Sequence, residues 1–134
     1  MLIDFVGLGS MGLGMAVSLV KAGHTVRGFD PASPRVEMLV EAGGAEFGDA
    51  LPQADAVVSA VLNADQTRTV LFGEQGVAKR LRSGGVIISC ATVSPAFAAE
   101  MEAQAADMDL LYLDAPISGG AIKAAAGQLS IMAA

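Results

Sequence analysis

Two hydrophobic patterns alternate along the chain. In the first, apolar residues crowd into short runs rich in β-branched and aromatic side chains. These are "LIDFVGL" at 2–8, "HTVRGFD" at 24–30, "AEF" at 45–47, "DAVVSAV" at 55–61, "GGVIISCA" at 84–91 and "LLYLDAP" at 110–116. They predict strands. Between them lie helical patterns at 11–22, 34–42, 66–72, 77–81 and 95–106. Several of these carry end signals. Ser33 precedes Pro34 and Ser94 precedes Pro95, while Gly23 and Gly43 stand just past two helix ends. The closing "GQLSIMAA" predicts one more strand.

Strand–helix alternation with near-continuous apolar strands implies a parallel sheet covered on both faces. Right-handed crossovers then make it a Rossmann-type, doubly wound α/β domain. The length of 134 residues fits one such domain. No repeat, linker or low-complexity segment divides it.

The glycine-rich stretch "FVGLGSMGLGM" falls where the first predicted strand meets the first helix. Gly7, Gly9 and Gly12 fit the pattern G-x-G-x-x-G. The first allows a tight turn, the second allows backbone to approach a pyrophosphate, and the third allows close helix–strand packing. Helical N–H groups around Ser10 and Met11 would then face the phosphates, with the helix dipole in support. Asp30 ends the second strand at about the 20-residue spacing this arrangement needs. Together these features point to dinucleotide binding. The alternative is a close-packed turn with an incidental strand-end aspartate.

Asp30 also bears on which dinucleotide. Its carboxylate can accept a hydrogen bond from the ribose 2′-OH of NAD and would repel the 2′-phosphate of NADP. The following "PASP" offers no base. NAD is the expected cofactor, with NADP left open. Arg35 could swing in, but its position predicts a solvated helix charge.

Charge and composition exclude other classes. The net charge is −6, and the eight Lys and Arg are scattered, which argues against a nucleic-acid partner. No apolar stretch reaches the roughly 18 residues of a membrane helix. Asp4 interrupts the apolar N-terminus and no basic segment precedes it, unlike a signal peptide. A cytoplasmic protein without a membrane partner is expected. Cys90 is the single cysteine and cannot form an internal disulfide, in keeping with a reducing compartment. Its apolar run predicts a buried structural thiol rather than a reactive one. No His/Cys/Asp cluster has metal-ligand spacing, so no metal is expected.

At "VGLGSMGLGM" and "LDAPISGGAIKAAAGQLSIM" the chain resembles the β-hydroxyacid dehydrogenase family, which includes 3-hydroxyisobutyrate dehydrogenase and, more distantly, 6-phosphogluconate dehydrogenase. Gly7, Leu8, Gly9, Met11, Gly12 and Met15 match the family's cofactor motif. Asp114, Ala115, Pro116, Ser118, Gly119, Gly120, Ala124, Gly127, Leu129, Ile131 and Met132 match its substrate motif, with Ile117 a mild change. "LNADQTRTVLFGEQGVA" and "ATVSP" are most similar to the L-threonate dehydrogenase-like members. The resemblance implies that Leu62 and Asn63 line the cofactor and that Thr92 approaches the nicotinamide ribose. It implies that Ser118, Gly119 and Gly120 hold the carboxylate and hydroxyl of a small hydroxyacid substrate. A Ser-Gly-Gly turn opening a helix is also a plausible anion cradle on physical grounds. The plainer reading of Ser118 is a helix N-cap.

The same resemblance implies a parent enzyme of about twice this length, on the order of two domains, homo-oligomeric when whole. Its catalytic lysine lies beyond the Rossmann domain. Residues 1–134 are therefore expected to form the dinucleotide-binding domain, incomplete at its C-terminal end, without the catalytic and dimerisation domain and with no catalytic residue. Lys123 falls at a variable motif position and predicts a solvated helix lysine. His24 follows Gly23 and predicts a loop or capping role. A dinucleotide-binding module without activity of its own, or a bare α/β scaffold, are the competing readings.

Overall fold

The computed structural model describes residues 1–48 and 53–134. Its elements are β1 (Leu2–Val6), α1 (Gly12–Lys21), β2 (Thr25–Phe29), α2 (Ser33–Glu41), β3 (Ala45–Glu46), β4 (Ala54–Ser59), α3 (Ala64–Phe72), β5 (Leu81–Ser89), α4 (Pro95–Asp107), β6 (Leu111–Asp114), β7 (Ile117–Ser118), α5 (Gly120–Ala125) and β8 (Ser130–Ile131). Six strands form one sheet in the order β3-β2-β1-β4-β5-β6, parallel throughout. This is the Rossmann order, and the chain reverses its direction of travel across the sheet between β1 and β4. β7 and β8 make a separate antiparallel ribbon.

Side chains alternate across the strands and so build two cores. Val6, Val57 and Ile87 point to one face, where they meet Leu71 of α3 and Ala105 of α4. Ile3, Phe5, Val26 and Val58 point to the other, against Ala16 of α1 and Leu39 of α2. Burial on both faces is why the strand sequences lack a polar side.

Local signals mostly act as expected. Gly23 and Gly43 follow α1 and α2 with φ of +96° and +105°, where glycine avoids the Cβ clash. Ser94 caps α4, accepting from the Phe97 amide at 3.1 Å. Other expectations need correction. Ser33 lies inside the first turn of α2, and the N-cap is Ala32, with no side-chain cap bond. Residues 77–81 form no α-helix. Val77–Arg80 is a single 3-10 turn whose chain extends at Leu81 straight into β5. Its Val77 and Ala78 are buried, so core packing holds a segment too short to propagate a helix. β5 accordingly starts at Leu81 rather than 84, with a register irregularity opposite Ala54–Ala56.

One charged pair lies within the sheet. Asp4 and Arg27 are register partners on β1 and β2, 1% and 3% exposed. Arg27 Nε donates to Asp4 Oδ1 at 2.6 Å. Arg80 Nε stands 3.8 Å from Asp4 Oδ2, its guanidinium lies 4.5 Å from the centre of the Phe47 ring, and it donates to Gly48 O at 2.8 Å. Asp4 thus links β1 to β2 and to the turn before β5. Removing one member of a buried pair leaves the other charge poorly solvated. Asp4→Ala is expected to lower the unfolding free energy by about 3–5 kcal/mol. Urea melts would read this; a loss near zero would mean that Arg27 is adequately held without Asp4.

Candidate dinucleotide site

The glycine turn sits at the reversal point, between the C-terminal ends of β1 and β4. Its three motif glycines have different reasons to be glycine. Gly7 has φ +92°, and a Cβ there would stand 2.7 Å from Ala60 O. A Cβ on Gly12 would stand 1.9 Å from Gly7 O. Both are demanded by the fold itself. Gly9 is not, since a Cβ there would meet nothing within 4 Å. The missing side chain at Gly9 leaves open space beside the start of α1. Met11 is the N-cap of that helix and makes no side-chain cap bond. Helix N-termini present N–H groups to an anion. The turn therefore fits a pyrophosphate.

Asp30 lies just past β2. Its Oδ2 accepts the Leu8 amide at 2.8 Å and its Oδ1 accepts the Ala32 amide at 2.8 Å. Each oxygen keeps a lone pair for a further donor. Arg35 is exposed, as expected of a solvated helix charge, but it also makes a contact that the sequence did not suggest. Its Nη1 donates to Leu8 O at 3.0 Å, reaching back from α2 to the glycine turn. Beside Asp30 opens a cavity of about 1110 Å³ whose walls include Val6, Phe29, Phe47, Val70 and Arg80. The Phe29 and Phe47 rings stack at 5.8 Å. Sequence reasoning passed over these wall residues; Phe29, next to Asp30, was the one with a local signal.

Leu62 and Asn63 follow β4 on the same side of the sheet as the glycine turn. Asn63 Oδ1 caps α3 by accepting the Gln66 amide at 2.9 Å, and Gln66 Oε1 accepts the Leu62 amide at 2.8 Å. These groups are engaged within the loop, while the Leu62 side chain is 85% exposed. Thr92 is exposed just beyond β5.

Ser118 ends β7, and the N-cap of α5 is Gly119, not Ser118. Gly119 and Gly120 have φ of +140° and +79°, conformations that favour glycine. The fourth glycine of the opening stretch, Gly14, ties this turn to the cofactor side. A Cβ on it would stand 2.7 Å from Ala125 N, so α5 rests directly on α1. Ser18 Oγ also donates to Ala124 O at 3.0 Å. Spacing alone could not reveal this role, because the partner lies more than a hundred residues away.

Lys123 is exposed on α5. His24 precedes β2, at the opposite end of the sheet from the glycine turn, with Nδ1 3.4 Å from the chain's amino group. Among the described residues no group of three His, Cys, Asp or Glu side chains could hold a metal ion, and no helix is long and apolar enough to cross a membrane.

Cys90 is buried at the end of β5, with its amide donating to Ser59 O at 2.8 Å. Burial, and then the Asp114 charge, push its thiol up to about 11. At pH 8 its thiolate should be about a hundredfold scarcer than in the unfolded chain, so iodoacetamide should label it slowly until denaturant is added. The raised value also has a stability consequence. The contribution is intact below the unfolded thiol's pKa of about 9 and is lost as pH rises to about 11, because only the unfolded state ionises in that window. Rapid labelling of the folded chain at pH 8 would contradict this placement.

Residues 2–134 match the family model described as the NAD binding domain of 6-phosphogluconate dehydrogenase. The chain is 43% identical over 135 residues to L-threonate dehydrogenase of Escherichia coli K12, covering 98% of this chain and 45% of that protein. It is 36% identical over 133 residues to NAD-dependent L-serine dehydrogenase of Pseudomonas aeruginosa, covering 97% and 45% respectively. The crystal structure of 3-hydroxyisobutyrate dehydrogenase from Salmonella typhimurium superposes with a TM-score of 0.90 at 38% identity, over 98% of this chain and 47% of that one. The chain thus spans about half the length of the relatives it matches.

Proposed function

The chain belongs to the family of the NAD binding domain of 6-phosphogluconate dehydrogenase, and on that premise we propose that it is the cofactor half of an oxidoreductase for a small β-hydroxyacid of the L-threonate or 3-hydroxyisobutyrate type. Gly9 carries the reading. It is the motif glycine that packing does not require, and a ligand backing onto the turn gives it a reason.

Placement and the family motifs support the following roles. Amides at the start of α1, around Ser10 and Met11, hold the pyrophosphate. Asp30 accepts the ribose 2′-OH with the lone pairs left by Leu8 and Ala32, and so favours NAD over NADP. Leu62, Asn63 and Thr92 border the nicotinamide end. Ser118, Gly119 and Gly120 hold the acid's carboxylate and hydroxyl, brought alongside by the seat of α5 on α1. A bound nicotinamide dinucleotide supplies the hydride acceptor. Oxidising an alcohol also needs a base for the hydroxyl proton. Lys123 lies at a variable motif position and His24 at the far end of the sheet, so neither is assigned that role. The second reading is a dinucleotide-binding module without turnover, favoured by the same lack of an assigned base.

Gly9→Val is expected to abolish NADH binding, read from nicotinamide fluorescence, while circular dichroism stays unchanged because the added side chain enters open space. Undiminished binding would remove the turn from the site. In the same titration the parent chain should prefer NADH to NADPH, and Asp30→Ala should narrow that preference.

Residues 1–134 alone are expected to bind cofactor yet reduce no NAD with L-threonate or 3-hydroxyisobutyrate. Adding a lysine-bearing companion domain should start turnover. Turnover by the chain alone that vanishes in Lys123→Ala would make Lys123 the base.

A further inference from the structure

The Leu8 peptide groups fall between two hydrogen-bonding systems. The sheet side ends at Gly7, whose amide donates to Phe29 O at 3.0 Å. The helical side begins at Gly9, whose carbonyl accepts the Leu13 amide at 3.2 Å. Leu8 N–H and C=O belong to neither. Leu8 itself is fully buried, so its backbone groups need partners from elsewhere. Asp30 takes the N–H and Arg35 takes the C=O. Both residues are anchored at the start of α2, Asp30 by its side chain and Arg35 by its backbone. Asp30 accepts the Ala32 amide, and the Arg35 amide donates to Ala32 O at 3.0 Å.

The Leu8 carbonyl shares a rigid peptide plane with the Gly9 amide. No peptide of the described chain is cis, so the two groups point in opposite directions. A guanidinium that draws Leu8 C=O toward α2 thereby aims Gly9 N–H away from it. Gly9 also lacks a Cβ, and the space where one would stand is open.

We propose that Arg35 is a positioning residue for the cofactor turn, holding the Leu8–Gly9 peptide so that the amides from Gly9 onward are preset for the pyrophosphate, and not a ligand for a 2′-phosphate. The proposal rests on the dinucleotide-binding reading above and predicts a pattern that a 2′-phosphate ligand would not give. NADH has no 2′-phosphate, yet its affinity depends on Arg35. NADPH depends on it to the same degree.

The test compares the parent chain with Arg35→Ala and Arg35→Gln, titrated with NADH and NADPH separately. Arg35→Ala should raise both dissociation constants by a similar factor of about ten, in line with loss of one charge-assisted hydrogen bond. Arg35→Gln keeps an N–H donor without the charge and should recover part of the loss for both. An unchanged NADH affinity in Arg35→Ala would overturn the proposal, and a loss confined to NADPH would make Arg35 a phosphate ligand. A cofactor-free readout accompanies the titration. The Gly9 amide signal in a 15N-resolved spectrum should shift in Arg35→Ala, with the core amides of β4 and β5 unmoved. A Gly9 signal that stays in place would also overturn it. Failure of the parent chain to bind either dinucleotide would instead sink the dinucleotide reading, and this inference with it.

Discussion

Close approach of backbone at the end of β1 is the constraint from which the site follows. β1 and β4 are neighbours where the strand order reverses, so the chain leaving β1 must turn upward against the end of β4. It passes close enough to Ala60 that Gly7 has no room for a side chain, and α1 starts close enough that Gly12 has none either. Any larger residue at these two positions would tilt α1 away from the sheet. The N-terminus of α1 would then no longer face the crevice above the reversal point, where an open α/β sheet binds its ligands.

The same helix seats a second turn. α1 holds α5 through the missing side chain of Gly14 and the hydroxyl of Ser18. The turn at Ser118–Gly120 therefore takes its position from the helix that carries the cofactor turn. A movement of α1 would move both sides of the proposed reaction together. This economy explains why four glycines crowd into one stretch: two close the turn, one borders open space, and one receives α5.

Charge inside the sheet serves a different end. Asp4 and Arg27 sit side by side where apolar residues would be expected, and Arg80 extends the contact to Phe47. A buried ion pair contributes little net stability relative to a well-packed apolar pair. Its geometry is directional, however, and here it ties β2 to the central β1, while Arg80 reaches the segment after β3. Phe29 ends β2 and Asp30 follows it, so the pair holds the strand that borders the cavity.

The sequence by itself determined the layered fold, because the length and apolar character of each run dictate a strand buried on both faces, and the intervening patterns dictate the helices. It also marked Gly7, Gly9, Gly12 and Asp30, whose spacing is set by local turn geometry, and the buried state of Cys90. It misjudged the segment at 77–81 because core packing, not propensity, decides whether four residues make a 3-10 turn. It placed Arg35 in solvent, where the residue is exposed, but missed its bond to Leu8 O, because a long side chain reaching 27 residues back leaves no periodic trace. The cap at Gly119 and the role of Gly14 were likewise invisible, since each depends on contacts between segments far apart in the chain. Tertiary structure alone decided which glycine is left facing open space. Three identical residues in one motif differ in backbone conformation and in what stands where their side chains would be.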